Sequence, residues 1–172
     1  RAAIIGGLAD GGGGNSVAAG DASMDNGLEV PPLSLETKQQ LSVLLGEVGN
    51  ILCNPVDVSQ AQFRGLATLF QAIDLIVRDP ISDIVLIQED AEILLPIYSQ
   101  KGVEEINEFI IELGRRQNKP IIVVLPPGSV ETERLRIEQK LLAASVPVFC
   151  SMERAAKAID RLNQYSCREE AA

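Results

Sequence analysis

Histidine and tryptophan are both absent from the 172-residue chain. Without an imidazole there is no histidine base, nucleophile or metal ligand, which excludes Ser-His-Asp and Cys-His hydrolases and most zinc enzymes. Aromatic residues make up 3% of the chain, too few to build a flavin site or a base-stacking surface. Positive charge is also scarce. Lys plus Arg number 15 against 24 Asp plus Glu, a net charge of −9, and a phosphate-backbone surface needs concentrated positive charge. A nucleic-acid partner is not expected. Cys53, Cys150 and Cys167 are odd in number and form no CxxC pair. They make no disulfide framework and suit a reducing, cytoplasmic compartment. Cys53 and Cys150 lie beside or within apolar segments and are expected to be buried and inert. No apolar run approaches the ~20 residues of a membrane span, and no signal-peptide pattern opens the chain. The chain starts at Arg1 and runs straight into an apolar stretch, so the expectation is a piece of a longer polypeptide.

What is present is alternation. Four short apolar runs are continuous rather than period-two: Ala2 to Ile5, Ile84 to Ile87, Ile121 to Leu125, and Val146 to Phe149. Such runs suit parallel strands covered on both faces. Pro147 places the last at a sheet edge, because it cannot donate to a ladder. Leu28-Glu29-Val30 is read as a further short strand, and residues 50–58 fit either loop or strand. Between these runs lie helical patterns over 15–26, from Ser34 onward, and over 61–77, 103–114, 130–144 and 152–164, with Ser34 as an N-cap. Strands alternating with helices imply right-handed βαβ units. The predicted fold is α/β, a three-layer doubly wound parallel sheet of flavodoxin-like order 2-1-3-4-5. One domain spans 1–165, with a frayed tail over 166–172.

The glycine run carries the functional signal. Residues 6–17 read Gly-Gly-Leu-Ala-Asp-Gly-Gly-Gly-Gly-Asn-Ser-Val, after a buried strand and before a helix. A helix start presents unpaired N–H groups and the positive end of the dipole. Residues without Cβ let an anion come close to that backbone. A turn needs one or two glycines, and each extra one costs up to about 1 kcal/mol relative to Ala. The run is not a Walker A loop, which needs a Lys-Ser/Thr pair, nor the dinucleotide fingerprint, which would need glycine at Ser16. A second constellation, Asn54-Pro55-Val56-Asp57, reads as a turn or as a rigid loop at the carboxyl end of the sheet. In the functional reading Asn54 and Asp57 face a ligand or another domain.

The pieces in order resemble NDP-forming acyl-CoA synthetases, relatives of succinyl-CoA synthetase, in their flavodoxin-like ligase domain. The matching residues are Gly11 to Val17, Asp21, Gly27 to Ser34 with Thr37, Asn54 to Asp57, Asp79-Pro80 with Asp83, Lys119-Pro120, Pro147 to Phe149, Ser151 and Glu153. They cover residues 1–165. The resemblance implies a reaction joining an acid, CoA and a nucleoside triphosphate through an acyl phosphate and a phosphohistidine. Gly12, Gly13, Gly14, Asn15 and Ser16 would hold the phosphoryl group at a helix N-terminus. It also implies that the histidine comes from a neighbouring domain, so this chain alone has no catalytic residue and no metal ligand and is expected to be inactive. The partners implied are CoA-binding, phosphohistidine and ATP-grasp domains, and the parent enzyme would use CoA, ATP or ADP, and Mg²⁺. The competing reading is a non-catalytic flavodoxin-like module that binds a nucleotide or a partner.

Overall fold

A computed structural model describes residues 1–9, 13–46 and 52–170, with side chains described as far as residue 166. The elements run β1 Ala2–Gly7, α1 Gly14–Asp25, α2 Leu35–Leu45, β2 Val56–Asp57, a 3-10 turn Ser59–Phe63, and α3 Leu66–Arg78. Then come β3 Ile84–Gln88, α4 Ala91–Arg116, β4 Ile121–Val124, α5 Glu131–Ala143, β5 Val148–Phe149 and α6 Met152–Glu170. The five strands are all parallel, in the order β2-β1-β3-β4-β5.

The reason the strands read as unbroken apolar runs is visible in the packing. Ala3, Ile5, Val85, Ile87, Ile121 and Val123 face one layer with Leu41, Ile73, Ile106 and Ile137 from α2 to α5. Ala2, Ile4, Leu86, Ile122 and Val124 face the other, with Ala19 of α1 and Ala155, Ala156 and Ile159 of α6. Both faces are dry, so neither parity of the strand can be polar. Helix starts follow capping chemistry: Ser34 accepts from the Thr37 N–H at 3.2 Å, and Asp90 from the Glu92 N–H at 2.9 Å.

Several expectations are corrected. The second strand is Val56–Asp57 rather than Leu28-Glu29-Val30. The latter segment gives β1 one bond, from Ala2 N–H to Glu29 O, and the prolines that follow it have no donors to extend a ladder. The pattern over 61–77 divides into the 3-10 turn and α3 because Gly65, at φ +90°, interrupts it. Helix α4 begins at Ala91, well before residue 103, because Asp90 caps it. It is broken at Ser99 (φ 60°, ψ 170°), three residues after Pro96. Helix α6 runs on to Glu170. Cys53 and Cys150 are exposed. One lies in the bend before β2 and the other just past the short edge strand β5, so neither shares the burial of its apolar neighbours.

Candidate functional site

In a 2-1-3-4-5 sheet the chain reverses its winding between the first and third strands, and ligands collect outside the carboxyl ends of those strands. Here β1 leads to α1 on one face and β3 leads to α4 on the other. Between them lies a cavity of about 10 Å³ bordered by Gly6, Ala9, Asn15, Gln88, Asp90 and Ile93. That is about the volume that holds one water.

The start of α1, like that of α3, has a glycine at its cap. Gly13 is the N-cap, at φ 64° and ψ −14°, with no side-chain cap and no acidic residue in the first turn. The first intrahelical bond is Val17 N–H to Gly13 O at 3.0 Å. Helix geometry therefore leaves the N–H groups of Gly14 and Ser16 without an intrahelical acceptor. Ser34, Asp90 and Ser151 cap α2, α4 and α6, and α5 carries Glu131 and Glu133 in its first turn, whereas α3, like α1, starts from a glycine with neither a side-chain cap nor an acidic first turn. The left-handed backbone at Gly13 is a conformation that favours glycine. Gly14 differs: a Cβ there would meet nothing within 4 Å. Folding does not require a glycine at that position, and a side chain there would have open space.

Ser16 supplies a second observation. Its side chain is 1% exposed, and its Oγ has no hydrogen-bond partner. A buried hydroxyl without a partner costs on the order of 1–3 kcal/mol. It sits over Gly6, where a Cβ would fall 2.5 Å from Ser16 Cα and 2.6 Å from its Oγ. Glycine at position 6 thus lets the first turn of α1 lie directly on β1.

The main chain leading into the glycine run is held from two sides. Gln62 Nε2 donates to Ala9 O at 2.9 Å, and Tyr98 Oη donates to Leu8 O at 3.4 Å. Burial pushes the Tyr98 phenol up to about 12, so it stays a neutral donor. Sequence reading missed both residues. Each lies more than fifty positions from its acceptor, and nothing local in the sequence marks the contact.

Of the residues expected at the site, Gly13, Gly14, Asn15 and Ser16 lie together at the start of α1, and Gly12 is outside the described residues. Asn54 and Asp57 do not join them as a ligand-facing pair. Asn54 lies toward the amino end of the sheet. Its Oδ1 accepts from Ile4 N–H at 2.8 Å, and its Nδ2 donates to Ala2 O at 2.7 Å and Pro31 O at 2.8 Å. The amide is fully used in joining β1, the approach to β2 and the Pro31 loop. Asp57 is at the carboxyl end, opposite Gly7, but is 2% exposed, and its Oδ1 accepts from Ser59 N–H at 2.9 Å. Among the described residues no group of three or more Cys, Asp or Glu is placed to hold a metal ion, and no helix is long and apolar enough to cross a membrane.

This strand order, with helices on both faces and a cleft at the switch point, defines a flavodoxin-like three-layer α/β domain. Among solved structures, the chain is similar to the protein PH0766 from Pyrococcus horikoshii OT3, with a TM-score of 0.71 at 21% identity. The match covers 93% of this chain and 34% of that one, so the chain spans about a third of the length of its structural relative. At that identity the likeness establishes the fold. No family model and no curated protein sequence matches the chain.

Proposed function

We propose that this chain is the anion-holding ligase domain of a cytoplasmic NDP-forming acyl-CoA synthetase, and that the start of α1 holds a phosphoryl group during its transfer. The observation that carries the reading is the buried Ser16 hydroxyl, without a hydrogen-bond partner among the described residues, in the first turn of a helix that starts from the left-handed Gly13. Fixed amide dipoles stabilise charge on a travelling phosphoryl group without reorganising. A favourable charge–dipole contact is worth about 0.3–1 kcal/mol when exposed and up to ~2 when partly buried.

In the proposed cycle, phosphate attacks the acyl-CoA thioester, releasing CoA and forming an acyl phosphate. An imidazole nitrogen of another domain takes the phosphoryl group and frees the carboxylate. A nucleoside diphosphate oxygen then takes it from the imidazole. This chain has no histidine, so its part is to hold the phosphoryl group in place through Gly12, Gly13, Gly14, Asn15 and Ser16. CoA, nucleotide and Mg²⁺ would bind to the CoA-binding and ATP-grasp domains of the same enzyme. The test is phosphotransfer by the assembled enzyme. A bulky residue at Gly14 should slow phosphoryl transfer to and from the histidine while leaving assembly intact. Unchanged transfer in an assembled Gly14→Leu enzyme would refute the role.

A further inference from the structure

The most buried carboxylate in the fold lies one residue from the cavity wall. Glu89 is 0% exposed, between Gln88 and Asp90, which both border the cavity. Its main-chain N–H donates to Val124 O, and its Oε1 accepts from Asn107 Nδ2 at 2.8 Å. The second Asn107 amide hydrogen goes to Val103 O at 2.9 Å, so both donors of that amide are used. Two atoms of the pair remain without partners, Glu89 Oε2 and Asn107 Oδ1. Both are acceptors while Glu89 is ionised, and neither can then satisfy the other. One proton on Oε2 supplies the missing donor for both.

We propose that Glu89 is held in the fold as a neutral carboxylic acid whose Oε2–H donates to Asn107 Oδ1, closing a two-bond acid–amide ring that deprotonation opens. Burial pushes the Glu89 carboxyl up to about 7, and the Asn107 bond opposes this in part. Among the described residues no charged group acts on it. The charges on the surrounding helices engage one another. On α4 and α5, Glu104 pairs with Arg136 and Lys140, Glu108 with Lys140, and Arg134 with Glu131 and Glu138. On α3, Asp74 pairs with Arg78 and Arg116; β4 is Ile121–Val124 and carries no charge.

The ring has a structural consequence. Asn107 belongs to the part of α4 that follows the break at Ser99, whereas Ile93 and Leu94 at the cavity belong to the part before it. The ring therefore adds a polar tie between the end of β3 and the far part of α4 to their apolar packing. Opening it loosens the corner from which Gln88, Asp90 and Ile93 reach the cavity. The coupling to anion binding rests on the reading given under Proposed function; the ring does not.

The test follows the side-chain carboxyl carbons of the carbon-13 glutamate-labelled 172-residue chain by NMR across a pH series, with sulfate as the anion probe. The Glu89 resonance, identified by its loss in Glu89→Gln, should titrate near 7 rather than near 4.5, and the Asn107 side-chain amide should shift with the same midpoint. Amide exchange over residues 91–98 should speed up across that midpoint in the wild type and stay flat in Glu89→Gln. An ordinary glutamate midpoint, or an Asn107 amide that ignores the titration, overturns the ring. Sulfate that binds with normal pH-independent affinity while the ring titrates overturns the coupling. A ring that titrates while sulfate never binds counts against the anion site and leaves the ring standing.

Discussion

Replacing Asn54 with alanine separates a structural role from a ligand role most sharply. The change deletes the acceptor of the Ile4 N–H and the donor of two carbonyls, Ala2 O and Pro31 O. Ala2 and Ile4 are 0% exposed, so water reaches the abandoned groups poorly. An unsatisfied buried polar group costs on the order of 1–3 kcal/mol. Asn54 itself is half-buried, so the low end applies to each of the three, and the sum is about 3 kcal/mol. With a urea m-value of about 2 kcal/mol per M, the midpoint should fall by roughly 1.5 M with the slope unchanged. Asn54→Asp should be worse at neutral pH, because a carboxylate still accepts from Ile4 but opposes two carbonyl oxygens. Sulfate affinity of the folded Asn54→Ala protein, measured well below the transition, should equal that of the wild type. A loss of stability under about 1 kcal/mol, or weakened sulfate binding by fully folded protein, would refute the assignment.

Two further outcomes follow from the same geometry. Glu89 has its pKa raised from 4.5 to about 7 in the folded chain, so the native state holds an extra proton between those values. The associated stability is complete below the unfolded pKa and is lost as pH rises through the folded one, about 3 kcal/mol at ~1.4 kcal/mol per unit. Glu89→Gln should flatten that slope and be the more stable protein above neutrality in urea titrations; a variant that keeps the wild-type slope would contradict it. Gly6→Ala should cost about 1–3 kcal/mol by overpacking, because the new methyl meets Ser16 Cα, a main-chain atom, at 2.5 Å; thermal melts that match wild type would show that α1 is free to shift.

How much of this was legible in the sequence depends on whether a feature is written locally. The parallel sheet and its order were readable because Ile4, Ile87 and Val123 stand in runs apolar at both parities, which only a sheet covered on both faces demands. The start of α1 was readable because several glycines in one turn carry an entropy cost that a simple turn does not require. The second strand was not, because β2 is only Val56–Asp57 and its place beside β1 is set by the remote Asn54 amide. The exposure of Cys53 and Cys150 depends on where bends and edges fall, which hydrophobicity alone does not reveal. Gln62, Tyr98 and the Glu89–Asn107 pair are tertiary contacts, and each residue is unremarkable in its own neighbourhood.

The most direct measurement is a sulfate titration of the nitrogen-15-labelled chain, wild type against Gly14→Leu, read at the backbone amides. A side chain at Gly14 has open space around it, so the variant should melt no lower than wild type while covering the approach to the α1 amides. The account predicts saturable shifts at Gly13, Gly14, Asn15 and Ser16 in the wild type, and their loss in Gly14→Leu. Shifts that cluster elsewhere, or that persist unchanged in the variant, would contradict it.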